Sequence, residues 1–287
     1  MAMTNAVAPN SVQPVVTLPN LSWGRINPSG NPYIDGLLSL NVWRNDRADG
    51  VTTITYSFPQ SASDYHYTGE PTKEFKPFDN PDLQRYVRLA QKIYESVAQI
   101  EFVEQTGPDA TKAEIRYGFS RPDGSSGWAY FPGAGEKAGD VWIPNDAYAI
   151  CSSIKPGSYP FDTILHELGH AVGFKHTFHE SKNNLDLLPS TPREHDSTEY
   201  SVMSYESFTN GDLPNVEGDY IQTLMMDDIQ ALQFMYGANY RTHAEDTVYK
   251  WDPITGLQSI NGVAQTDYEQ WSNPTLPNWR NKIYTTI

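Results

Sequence analysis

Apolar residues recur along this chain with two periods, and the switches between them mark its elements. Residues 51–58, VTTITYSF, are rich in β-branched and aromatic side chains and predict a strand. Asn80 and Pro81 then open a helix, asparagine as cap and proline at the first position. Leu83, Tyr86, Val87, Ala90, Ile93, Tyr94, Val97 and Ile100 follow at helical spacing. Shorter runs at 102–103, 113–119, 127–131 and 140–143 predict further strands, the last two joined by the glycine-rich PGAGEKAG. The helical period returns over 161–172 and again over 224–236, each stretch stopped by a glycine, Gly173 or Gly237. Residues 1 to about 20 are polar, proline-bearing and without period, which predicts a loose arm. Apolar residues between Pro32 and Trp43 predict a patch packed on the domain.

The stretch His166–His176, HELGHAVGFKH, carries the chemistry. On a helix, at about 100° per residue, His166 and His170 lie about 40° apart and one turn along, with Glu167 at the edge of the same face. Phe161, Ile164, Leu165, Leu168, Ala171 and Val172 form the opposite, apolar face. Gly173 offers a left-handed exit that can swing His176 to the same point. Three neutral imidazoles leave one tetrahedral position open, as in a catalytic rather than a structural zinc site. Buried histidines satisfied by hydrogen bonds are commoner than ligands, but chance places the full HExxHxxGxxH in roughly one chain of this length in 10⁵. His179 competes with His176 for the third position, and the Gly173 register favours His176.

This string resembles the zinc signature of the metzincins, in which a methionine turn follows downstream. Ser201-Val202-Met203-Ser204-Tyr205 matches that turn, and its wording is closer to serralysins than to astacins. Residues 227–239, DDIQALQFMYGAN, and the strand at 51–58 resemble serralysins as well. The resemblance implies an α+β fold: a zincin-like metalloprotease domain with a twisted mixed sheet, an active-site helix and a smaller C-terminal subdomain carrying the methionine turn. It implies that Met203 floors the three histidines and that Tyr205 is both an additional zinc ligand and a catalytic group, leaving the metal as substrate arrives. By the same resemblance, residues 127–131 supply the edge strand above the cleft, so that Trp128, Ala129, Tyr130 and Phe131 bind extended peptide by strand addition; an ordinary hairpin explains their sequence equally well. Thr177 stands where serralysins usually carry proline. Asp227 and Asp228 read as capping or hydrogen-bonding groups around the turn.

Composition narrows the partners. A net charge of −15 and a pI near 4.7 argue against nucleic acid or an anionic membrane as partner, while calcium remains compatible. With Cys151 alone, no internal disulfide forms. No stretch has the length to span a bilayer, and the opening residues lack the basic start and apolar run of a secretory signal. Serralysin-like proteases leave the cell through a C-terminal signal, so the resemblance implies type I export and a secreted, extracellular protein. The expected organisation is an arm over 1–25, a catalytic domain over 26–245, and a segment over 246–287 that resembles the approach to a calcium-bound β-roll, with Thr247 a candidate calcium ligand. None of that roll's glycine- and aspartate-rich repeats occurs here.

The expectation is a monomeric zinc endopeptidase acting on protein or peptide substrates. Glu167 serves as general base toward a water whose pKa the zinc lowers toward about 7. A non-catalytic zinc- or calcium-binding module and a zinc amidase are the alternatives, separated by a chelator-controlled peptide assay and a substrate profile.

Overall fold

The computed structural model describes residues 22–44, 47–121, 126–145, 156–178, 188–207, 220–252 and 258–265. Most of the predicted arm, Cys151, His179 and most of the wall after Met203 lie outside these residues. In chain order the elements are β1 (Trp23–Arg25), α1 (Pro32–Asp35), β2 (Asn41–Trp43), β3 (Thr52–Ser57), β4 (Lys76–Pro77), α2 (Pro81–Val97) and β5 (Ile100–Glu104). They continue with β6 (Ile115–Ser120), β7 (Trp128–Ala129), β8 (Val141–Pro144), α3 (Tyr159–Val172), α4 (Met226–Tyr236), β9 (Tyr249–Trp251), β10 (Gln258–Ile260) and β11 (Val263–Ala264).

The main sheet runs β5-β3-β6-β8-β7, with β4 paired to β6. β3 lies parallel to β5 and β6, and β6 parallel to β8, whereas β7 and β4 pair antiparallel. It is therefore a mixed sheet in an α+β domain. Parallel strands need long crossovers, and α2 supplies the one between β3 and β5. β6 is buried along its whole length, so its alternating pattern carries an arginine into the interior. Arg116 meets Asp140 there through Nε–Oδ1 at 2.7 Å and Nη2–Oδ2 at 2.8 Å. Tyr67 donates to the same carboxylate, and Arg116 also reaches the Glu136 carbonyl at 2.5 Å. A buried ion pair survives only when its remaining hydrogen-bonding capacity is filled. Here that requirement ties the glycine-rich turn to the sheet and so places edge strand β7.

Two predicted boundaries shift. Residues 127–131 were expected as one strand, but only Trp128–Ala129 pairs in regular register; Tyr130 still bonds to Asp140 and Gly139, and Phe131 leaves the ladder. The helix expected from 224 begins at Met226, because Asp228 accepts from the Met225 amide and makes Met225 the cap. The short strands β1, β2 and β9–β11 form two small antiparallel sheets that lack a readable period.

α2 and α3 pack together in one core with the sheet, α2 presenting Leu83, Tyr86, Val87, Ala90, Ile93 and Tyr94. The predicted apolar face of α3, from Phe161 to Val172, is buried throughout. The patch before residue 44 also packs as expected, Leu38 bridging to Phe174 just past α3. Among the described residues no helix is long and apolar enough to cross a membrane.

Candidate metal centre

α3 begins where Ser158 accepts from the Phe161 amide, with Pro160 in its first turn. Three aromatic side chains grip its backbone: Tyr94 donates to the Leu165 carbonyl, the Trp43 indole to Ala171, and Tyr236 to Val172. The last two fill carbonyls that a helix end leaves without partners. Gly173 adopts φ +117°, and the Gly173 and Phe174 amides return to the Gly169 carbonyl, closing the helix as its sequence predicts. The chain is then pinned, Ser39 donating to the Gly173 carbonyl and Lys175 to that of Leu37.

These constraints bring His166, His170 and His176 together. The Nε2 atoms of His166 and His170 lie 3.0 and 3.1 Å from that of His176. His166 Nδ1 sits 2.7 Å from the Val202 carbonyl and His170 Nδ1 2.8 Å from that of Phe174. A carbonyl can only accept, so in both rings Nδ1 carries the proton and Nε2 presents its lone pair. Burial favours the neutral rings, pushing the pKa down to about 4 at His166 and about 3 at His170, and burial also lowers His176. The His166 and His170 lone pairs thus converge on His176 Nε2 within hydrogen-bonding range, a spacing that a shared cation also satisfies. Neutral imidazoles, tautomers held by carbonyls and convergent Nε2 atoms together fit a metal ion.

Around this centre, Glu167 is buried, its Oε2 has no hydrogen-bond partner among the described residues, and burial pushes its carboxyl up to about 8. Tyr205 is half exposed; its hydroxyl lies 3.0 Å from His176 Nε2, and its ring packs on His176 and Phe178. Met203 is fully buried, and Asp228 fixes its turn by accepting from Ser201 Oγ at 2.6 Å and from the Val202 amide at 2.9 Å. Asp228 thus acts as the hydrogen-bonding group expected, holding the peptide whose carbonyl orients His166. Of residues 128–131, Phe131 comes within 5.6 Å of the His170 ring, between centroids, and β7 forms the sheet edge.

No family model matches the chain. It is 31% identical over 262 residues to the metalloprotease AprA of Pseudomonas entomophila, covering 80% of this chain and 52% of that protein. Serralysin A of Dickeya chrysanthemi is 32% identical over 223 residues, covering 74% of this chain and 44% of its own length. A serralysin of Photorhabdus is 33% identical over 213 residues, covering 70% and 42%. The chain belongs to the serralysin family. It spans about half the length of the curated serralysins and metalloproteases it matches.

Several residues of this serralysin centre carry no signal along the sequence. A Cβ on Gly169 would stand 2.7 Å from Met203 Sδ, and one on Gly127 would stand 2.8 Å from Glu167 Oε1. Both glycines make room for functional groups that meet them only in the fold. Asp196 accepts from Thr177 Oγ1 and, at 2.8 Å, from Ser204 Oγ. It therefore joins the residue after His176 to the residue before Tyr205. The family's usual proline at 177 would have no hydroxyl for that link.

Proposed function

We propose that the chain is the catalytic part of a secreted zinc endopeptidase that hydrolyses protein or peptide substrates outside the cell. The convergence of three Nε2 atoms beside Glu167, whose Oε2 has no partner among the described residues, carries this reading. His166, His170 and His176 would hold the ion, with Tyr205 as a further ligand. A zinc ion so held supplies Lewis acidity and brings a water's pKa toward about 7.

Glu167 performs the proton transfers. Burial raises its carboxyl toward neutrality, where a group both accepts and donates readily. It takes the proton of the attacking water and delivers it to the leaving amine. Tyr205, half exposed at the mouth of the centre, donates its hydroxyl proton in a hydrogen bond to the developing oxyanion. The outer edge of β7, last of the described strands in the sheet, aligns the extended substrate through Trp128 and Ala129 and onward to Tyr130 and Phe131. Met203, packed under α3, supports the imidazoles from below. The catalytic domain spans 26–245, and Trp23–Arg25, paired with β2, join it rather than an arm.

Glu167→Gln tests the assignment. The variant should retain one zinc per chain while peptide cleavage falls by about 10²–10⁴-fold. Undiminished cleavage would remove Glu167 from its role, and cleavage insensitive to chelator in the wild type would remove the metal reading altogether.

A further inference from the structure

We propose that Asp162 makes the cavity beside the metal centre select a cationic side chain, lysine or arginine, on the substrate residue flanking the scissile bond. The inference rests on the peptidase reading above. A cavity of about 340 Å³ opens against His166, Glu167 and Tyr205, and its lining includes Tyr159, Asp162 and Thr163 of the first turns of α3. Asp162 stands four residues before His166, one turn away on the same helix face and about 6 Å along the axis. A substrate carbonyl at the imidazoles therefore leaves the neighbouring side chain within reach of Asp162 if that side chain is long.

One oxygen of this carboxyl group is closed off, and the partly buried residue lines the cavity through the rest. Asp162 Oδ1 is shielded from solvent and has no hydrogen-bond partner among the described residues. Tyr159, on the same cavity wall, gives its hydroxyl proton to Ser126. Burial, and then the charge of Asp228, push the Asp162 carboxyl up to about 8. No lysine or arginine is among the described residues lining the cavity. Displacing water from the accessible part of that carboxyl group without replacing its hydrogen bonds is costly. An apolar guest would incur that cost, and an acidic guest would add a like charge. An ammonium or guanidinium on a flexible stem reaches the carboxylate, donates to it and neutralises it. Glu167, the other shielded carboxylate of the cavity, is engaged in proton transfer at the centre.

The full chain carrying its zinc is incubated with a mixed peptide library, and the residues on both sides of each cut are read by mass spectrometry. Lysine and arginine should be enriched at one flanking position. In paired peptides, kcat/KM should favour lysine over norleucine there by at least about tenfold, as a charge-assisted hydrogen bond provides. Asp162→Asn, shown by zinc content to be folded, should lose that ratio. Wild-type cleavage with no basic preference overturns the inference and leaves the peptidase reading intact, and this profile needs no variant to fold. An unchanged lysine ratio in zinc-loaded Asp162→Asn overturns it equally. Absence of any chelator-sensitive cleavage overturns the peptidase reading and this inference with it.

Discussion

The two sides of the metal centre are held by different physics. On the helical side, His166 and His170 are each 8% exposed, and each has its Nδ1 tied to a backbone carbonyl. The ring nitrogens that face the centre are thus aimed by groups that cannot rotate. On the turn side, Tyr205 is 50% exposed, and its ring is placed by packing against His176 and Phe178. Stacking of this kind is worth only about 0.5–1.5 kcal/mol beyond burial, and the half-exposed ring adds to it a hydroxyl contact with His176. The contrast separates two jobs. Holding an ion needs donors fixed before the ion arrives, whereas stabilising a charge that exists only briefly needs a donor that can come and go.

Removing one donor from each side tests the contrast most severely. His170→Ala should lose zinc and cleavage together. Tyr205→Phe should keep one zinc per chain, bind substrate with a similar KM, and lose about 10²-fold in kcat, the typical cost of one oxyanion donor. Metal analysis and steady-state kinetics on the two variants decide the matter. Loss of zinc from Tyr205→Phe would break the division, because the turn would then be holding the ion.

The helical side also carries a titration that metal removal should expose. Burial raises the Glu167 carboxyl to about 8, far above its value in an unfolded chain near 4.5. Such a group binds its proton more tightly in the folded state, so its contribution is complete at low pH and is lost as pH rises toward 8. The helix histidines oppose this only below about 6.5: their folded pKa values are depressed, so stability falls when the unfolded chain protonates them. Between pH 6.5 and 8 the imidazoles are neutral in both states and the buried carboxylates dominate. Zinc-free protein should therefore lose stability across this window. Zinc-free Glu167→Gln should lose less, the difference approaching about 1.4 kcal/mol per pH unit at the lower end. Thermal melts of both proteins in chelator at pH 6.5, 7.2 and 8 measure it; parallel curves would mean that Glu167 titrates as an exposed carboxylate does.

What could be read along the chain follows the range of the interactions. α2 and α3, their caps and the turn at Gly173 are local: period, capping residue and positive φ all lie within a few positions. So are the three histidines, since helix spacing and one glycine bring them together. Met203 and Tyr205 came from resemblance to a family, because a buried methionine and a half-buried tyrosine have no periodic signature. Asp196, Gly127 and Gly169 carry no signal along the chain for a further reason. Each owes its importance to a group reached through the fold, such as Met203 for Gly169. The sheet edge was misjudged at Phe131 because two residues of pairing are too few to leave an alternation.

The smallest effect should come from the link between the two sides. Thr177, fully buried after His176, and Ser204, before Tyr205, both donate to Asp196. Thr177→Val keeps the side chain's shape and removes one of these bonds, leaving Asp196 its other partner. It should cost about 1 kcal/mol, read by denaturant unfolding of the zinc-loaded protein. Its bearing on the contrast lies in kinetics. If Asp196 sets how far Tyr205 stands from the imidazoles, Thr177→Val should lower kcat in the presence of Tyr205 and have little further effect once Tyr205→Phe has been made. Additive losses in the double variant would place the link outside catalysis, because independent sites add while coupled ones do not.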